Sequence, residues 1–287
     1  MSNDVFDDRR LTLGEGPLWH PLRKQFFWFD ILNRQLCSNV NGEALTWQFD
    51  EYVSAAGWID RTRLLIASQS QLFAFDVETG AQAHVVALEA DDPVTRSNDG
   101  RADPWGGFWI GTMGINAEPQ AGAIYRYYKG ELRLLFPEIT ISNAICFAPD
   151  RSCAYFCDTD VGIIMRQGLR ADTGWPTGPA EEWLDLGADG LNPDGAVVDA
   201  NGNLWNAQWG AGRVACYGPH GGLLQTLSVG AAQATCPAFG GEDGTDLLVT
   251  SACADLDADA LAADPLAGAT FLFKGLAKGQ QEHQVML

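Results

Sequence analysis

Short apolar runs rich in aromatic and β-branched residues return at regular intervals along the chain, each opened by a polar turn. The runs are FFWFDI (26–31), RLLIAS (63–68), FWIGTM (108–113), AYFCDT (154–159), NLWNAQW (203–209) and DLLVTSA (246–252), with the length and composition of strands. Their turns are His20-Pro21, Asp60-Arg61, Asp103-Pro104, Asp150-Arg151, Asp199-Ala200 and Glu242-Asp243, spaced 40 to 49 residues apart. Further hairpins lie between the runs, at LFAFDVETG (72–80), AIYRYYKGELRLLF (123–136) and RVACYGPHGGLLQTLSV (213–229). Glycines in their turns, Gly80, Gly130 and Gly221-Gly222, supply the positive backbone angles that tight hairpins need. About four strands in a repeat of this period predict an all-β chain folded as a six-bladed β-propeller, with four antiparallel strands per blade.

One stretch breaks the pattern. ADLDADALAADPLAG (254–268) is rich in Ala, Leu and Asp and predicts a short helical or irregular excursion before a last strand in GATFLFKGL. The run HQVML (283–287) is expected to close the ring by pairing with strands near the other end of the chain, because an open sheet edge invites aggregation.

The repeat gives each unusual polar residue an address. Glu15, Asn98 and Asp194 each stand five positions before their turn, and Asn143 stands seven before its own. Equivalent positions in different blades converge on the propeller axis, so these four side chains are expected to meet around one channel. Each also has a plainer reading. Glu15 lies between glycines before a proline, Asn143 could cap a turn, and Asn98-Asp99-Gly100 and Pro193-Asp194-Gly195 both read as turn sequences. Convergence is what separates the two readings.

Composition narrows the class. With 287 residues, 46% hydrophobic content and 32 glycines, the chain can bury a large core as a single domain spanning 1–287. A formal net charge of −19 excludes the basic clusters that nucleic acid binding draws on. MSNDVFDDRR carries acids where a secretion signal would be basic and then apolar, and no run has membrane-spanning length, so a cytoplasmic location without a membrane partner is expected. Seven cysteines, none in a CxxC pair, read as small buried hydrophobes rather than a disulfide framework.

Several chemistries are disfavoured. Asp255, Asp257 and Asp259 imitate the start of an EF-hand loop, but Ala260 replaces its glycine and Leu266 its closing glutamate. The four histidines are scattered without ligand spacing, and no GxSxG nucleophile elbow is present. The tryptophans read mainly as strand core, with Trp209 placed where it could line a pocket.

The phrases LGEGPLWHP (13–21), RSNDGRADPWGGFWIGTMG (96–114), ISNAICFAPD (141–150), LNPDGAVVDANGNLWNAQWG (191–210) and CPAFGGEDGTDLLVTSA (236–252), in this order, resemble the SMP-30/gluconolactonase/regucalcin family. The resemblance implies a six-bladed propeller with one divalent metal ion in the channel and hydrolysis of sugar lactones. It places metal ligands at Glu15, Asn143 and Asp194, and substrate contacts at Arg96 and Asn98. After GTM some members carry an acidic residue that touches substrate; here Gly114, Ile115 and Asn116 follow, with Glu118 displaced, so Asn116 is the candidate for bonding a hydroxyl.

The implied set makes chemical sense. Two carboxylates and an amide oxygen form a hard oxygen site suited to Ca²⁺, Mg²⁺ or Mn²⁺, and Zn²⁺ and Fe²⁺ stay on the list because availability also selects metals. A lactone is an intramolecular ester: its carbonyl must be polarised, water delivered and the ring oxygen protonated. Asp194 is the candidate general base, with Arg96 and Asn98 fixing the sugar. The expected partner is a small sugar lactone, a pentono- or hexonolactone; the oligomeric state is open. The alternatives are a non-catalytic calcium- or ligand-binding propeller and a promiscuous esterase or organophosphate hydrolase on the same scaffold.

Overall fold

The apolar runs are buried on both faces, because each becomes the second strand of a blade wedged between two neighbours. The computed structural model describes residues 4–287. It contains six four-stranded antiparallel sheets, the six blades of a β-propeller. The inner strands of blades 1 to 6 are Gly14–His20, Val53–Trp58, Thr95–Ala102, Ser142–Phe147, Asn192–Val198 and Ala234–Gly240. Each packs against the inner strand of the next, and the sixth against the first, which closes the ring.

Six hydrophobic clusters fill the six interfaces between blades. Alternation along a strand decides which cluster a side chain joins. In Gln25–Asp30, Phe27 and Phe29 face blade 2, whereas Phe26 and Trp28 face blade 6. In Arg63–Ser68, Leu64 and Ile66 face blade 1, whereas Leu65 and Ala67 face blade 3. A strand with two buried faces reads as a continuous apolar run, which is why these six strands stand out in the sequence.

The repeated polar turn has a common physical cause. The aspartate at its head folds back to accept amide protons two to four residues on, an Asx turn that reverses the chain from inner to second strand. Asp60 accepts from Thr62 and Arg63, Asp103 from Trp105 and Gly107, Asp150 from Ser152, and Asp199 from Asn201 and Asn203. In blade 1 His20 takes this place: its Nδ1 accepts the Arg23 amide, so its Nε2 donates to the Asp60 carbonyl. At the opposite end, Asp30 accepts from the amides of Thr12 and Leu13, and Asp158 from those of Thr140 and Ile141. These bonds fix the chain just before the strands that carry Glu15 and Asn143.

The excursion at 254–268 contains a short helix, Ala258–Ala263, capped by the Asp257 carboxylate on the Ala260 amide. Ring closure differs from the expectation. The strand Asp4–Asp7, not the run 283–287, completes blade 6 by pairing with Thr270–Phe273. Residues 284–286 instead bond Trp58, Ile59 and Gly106 at the turn end of the ring. None of the seven cysteines is joined to another, and six are buried.

Candidate functional site

All six inner strands slip register against their second strands at the same height. The shifts fall between Glu15 and Leu18, Val53 and Ala55, Ser97 and Gly100, Asn143 and Cys146, Pro193 and Ala196, and Ala234 and Pro237. A β-bulge breaks the in-and-out alternation and re-aims side chains. Repeated six times, it forms a layer in which polar side chains face the axis instead of the apolar wedges. The two turn-like phrases lie inside strands: Asn98-Asp99-Gly100 within Thr95–Ala102, and Pro193-Asp194-Gly195 within Asn192–Val198.

The bulge in blade 1 needs its glycine. Gly16 has φ of +54°, and a Cβ there would lie 2.2 Å from the Ser54 carbonyl oxygen. Its amide donates to Glu15 Oε2 at 2.8 Å, turning the carboxyl inward. In blade 4 Ala144 holds φ of +58° directly after Asn143, a left-handed conformation that costs an alanine energy and recurs at functional sites.

The structure brings together five of the six predicted site residues. Glu15, Arg96, Asn98, Asn143 and Asp194 are each 3–6% exposed. Arg96 Nη1 donates to Asn98 Oδ1 at 2.8 Å, and Asn98 Nδ2 donates to the Ser142 carbonyl at 2.9 Å and to Asn143 Oδ1 at 3.3 Å. Asn143 Nδ2 donates to Thr159 Oγ1, which donates to the Pro193 carbonyl beside Asp194. One bonded chain thus runs across blades 3, 4 and 5. The Glu15 and Asp194 carboxyls face each other side chain to side chain, each shifting the other's titration. Asn116 stands outside this network: it is exposed, and its amide group is bonded to Glu118 Oε1.

Sequence reasoning missed two contributors. Asp99 is buried and gives the channel a third carboxyl, its Oδ2 accepting the Ile145 amide at 2.7 Å. Its turn-like neighbours hid it, although its place beside Asn98 was the available signal. Thr159, the bridge between Asn143 and Pro193, carried no motif.

The electrostatics follow from burial. Desolvation, then the charge of Asp99, pushes the Glu15 carboxyl up to about 8. Desolvation, then Glu15 and Asp99, holds Asp194 well above the usual carboxylate range. Burial raises Asp99 to about 6, against the pull of Arg101, and lowers Arg96 to about 10 despite Glu15. Two desolvated carboxyls, Glu15 and Asp194, face each other under the added charge of Asp99, and a cation between the two would relieve their repulsion. The donors fit a hard cation: two carboxyls and Asn143 Oδ1, whose amide is oriented by the Nδ2 bond to Thr159. Among the described residues no three His, Cys, Asp or Glu side chains form a metal-holding group, since the third donor is an amide.

The SMP-30/Gluconolactonase/LRE-like region matches residues 13–253. The chain belongs to this family. The L-arabinolactonase of Azospirillum brasilense is 38% identical over 273 residues, which cover 92% of this chain and 89% of that one. The 6-deoxy-6-sulfogluconolactonase of Pseudomonas putida is 31% identical over 263 residues, covering 91% and 90%. The crystal structure of regucalcin from Agrobacterium tumefaciens str. C58, described as a calcium-binding protein, superposes with a TM-score of 0.97 at 43% identity, covering 100% of this chain and 98% of its own.

Proposed function

We propose that this family member is a metal-dependent sugar lactonase that opens an aldonolactone, of pentono or hexono type, to the aldonic acid. The observation that carries the reading is the meeting of the Glu15 and Asp194 carboxyls, with Asn143 tied through Thr159 to the carbonyl next to Asp194 and the Arg96 guanidinium within reach of the Glu15 charge. Support for the lactone comes from the two related lactonases.

Glu15, Asn143 and Asp194 would hold one divalent cation, which when bound supplies electrophilic polarisation of the lactone carbonyl. The chain's own groups do the rest. Asp194 accepts a proton from the attacking water as its oxygen bonds to the carbonyl carbon. When the ring C–O bond breaks, that proton returns to the departing ring oxygen, giving the acid and a free hydroxyl. The buried Arg96 Nε has no hydrogen-bond partner among the described residues, a donor left for a sugar oxygen. Asn98 spends both ends of its amide on Arg96 and blade 4, so it steers the substrate through these two. Asn116, exposed and bonded to Glu118, lies outside this network and would meet a hydroxyl only from beyond it.

Acid release from L-arabinolactone, xylonolactone, galactonolactone and gluconolactone, before and after chelation, tests the reading. Asp194→Asn is expected to lower kcat by about 10²- to 10⁴-fold. Turnover that survives chelation or this substitution unchanged would reject the mechanism. A calcium-bound propeller without catalysis, favoured by the calcium-binding description of the superposed relative, predicts a cation-dependent rise in Tm with no turnover. Preference for aryl esters or phosphotriesters over every lactone would select a broader hydrolase.

A further inference from the structure

Residues 276–287 form a strap across the end of the channel opposite the carboxyl cluster. Gln280 Nε2 donates to the carbonyls of Phe147 and Val198, Gln284 Nε2 to that of Ile59, and the Met286 amide to that of Gly106. The strap thereby spans blades 2 to 5 at their turns. One of its side chains enters the channel. Glu282 Oε2 meets Arg101 Nη1 at 3.1 Å, and each side chain is only 9% exposed.

Arg101 is two residues beyond Asp99 on the inner strand of blade 3, just past the bulge, and the two side chains are close enough for the charge of each to act on the other. Asp99 grips the next blade and Arg101 reaches the one beyond it, each beside a residue of the cluster. Asp99 Oδ2 accepts the amide of Ile145, which sits within the bulge that starts at Asn143. Arg101 Nη2 reaches the carbonyl of Ala196, which ends the bulge holding Asp194. A buried arginine keeps such a place only while its charge is matched, and the carboxylate bonded to it here comes from the strap.

We propose that Glu282 is a positioning residue for the cluster: through Arg101 and Asp99 the strap fixes, from beneath, the two bulges that present Asn143 and Asp194. This rests on the reading of the cluster as a cation and lactone site, and it adds a part of the chain that touches neither ligand. The alternative is that Glu282 merely staples the blades together.

The two differ in what Glu282→Gln changes. Positioning requires the affinity for Ca²⁺ and Mn²⁺, read by calorimetric titration, and the kcat for a lactone each to fall by about tenfold, the range in which supports of metal ligands act. Gln284→Ala removes a strap bond far from Arg101; it should lower Tm and leave both quantities unchanged. Should Glu282→Gln fail to fold, the pair Arg101→Met with Glu282→Met removes both members of the ion pair together, and the same losses are expected. Unaltered cation affinity and kcat in either variant, measured below its Tm, would overturn the proposal. A wild-type chain that binds cation but turns over no lactone would remove the lactonase reading, and the titration would still decide this one.

Discussion

Glu15 shows how much one buried side chain can set against the fold. In the metal-free protein its carboxyl titrates at about 8, against an ordinary value of 4.5, chiefly because burial penalises the charged form. A raised folded-state pKa means that the folded chain holds the proton more tightly than the unfolded one. The associated stability is present below pH 4.5 and is lost as pH climbs through about 8. Glu15→Gln imitates the protonated form at every pH. With chelator present it should therefore raise Tm near pH 8 and leave Tm little changed near pH 4.5; with Ca²⁺ in place of chelator, the rise in Tm expected of the wild type on the proposed function should be absent from the variant. A thermal melt series over this range measures all three, and equal Tm values at pH 8 would contradict the assigned burial cost. Much of the cluster was legible because repeat spacing places Glu15, Asn98 and Asp194 five positions before their turns and Asn143 seven before its own. Asp99 was not, since a one-residue register slip inside a strand leaves the same local sequence as a tight turn.

At the scale of elements, equal positions in the repeat do not carry equal weight. Asp199 and Asp150 head the same turn in successive blades. Asp199 is 1% exposed and accepts from the amides of Asn201 and Asn203, from Asn203 Nδ2 and from Trp205 Nε1. Asp150 is exposed and accepts from the Ser152 amide. Asp199→Ala leaves the buried Trp205 Nε1 and three part-buried donors without this acceptor and is expected to cost about 2–4 kcal/mol, whereas Asp150→Ala costs about 1 kcal/mol or less. Urea unfolding with unchanged m-values separates them, and similar costs would mean that turn geometry outweighs burial. The second strands and these turns were readable because double burial and Asx chemistry each leave a strong local mark. The closing strand was not. Asp-Val-Phe-Asp is short, polar at both ends, and buried fully only at Asp7, so nothing local distinguishes it from a tail.

For the whole molecule, the closure at Asp4–Asp7 decides whether six wedges behave as one ring. That strand covers the edge of Thr270–Phe273, and Arg9 locks it to blade 1. Arg9 Nε and Nη2 grip the two oxygens of Asp7, while Nη1 and Nη2 reach the carbonyls of Leu45 and Ser38, and the guanidinium lies 5.4 Å from the Trp28 ring centre. The Asp7 side chain is 3% exposed and that of Arg9 24%. Truncating the arginine strands a largely desolvated carboxylate, so Arg9→Ala is expected to destabilise by about 3 kcal/mol. The loss should be uneven. Amide exchange ought to quicken first in Asp4–Asp7 and Thr270–Phe273, where blade 6 loses its cover, and last in the inner strands of blades 3 and 4. Exposure of that edge should also make the variant associate on warming, visible by light scattering before the wild type shows any. Below its Tm the variant should keep the wild-type kcat, because the cluster lies on inner strands that Arg9 does not touch. If exchange quickened uniformly around the ring instead, the six interfaces would be one cooperative unit, and closure at this seam would matter no more than any other contact.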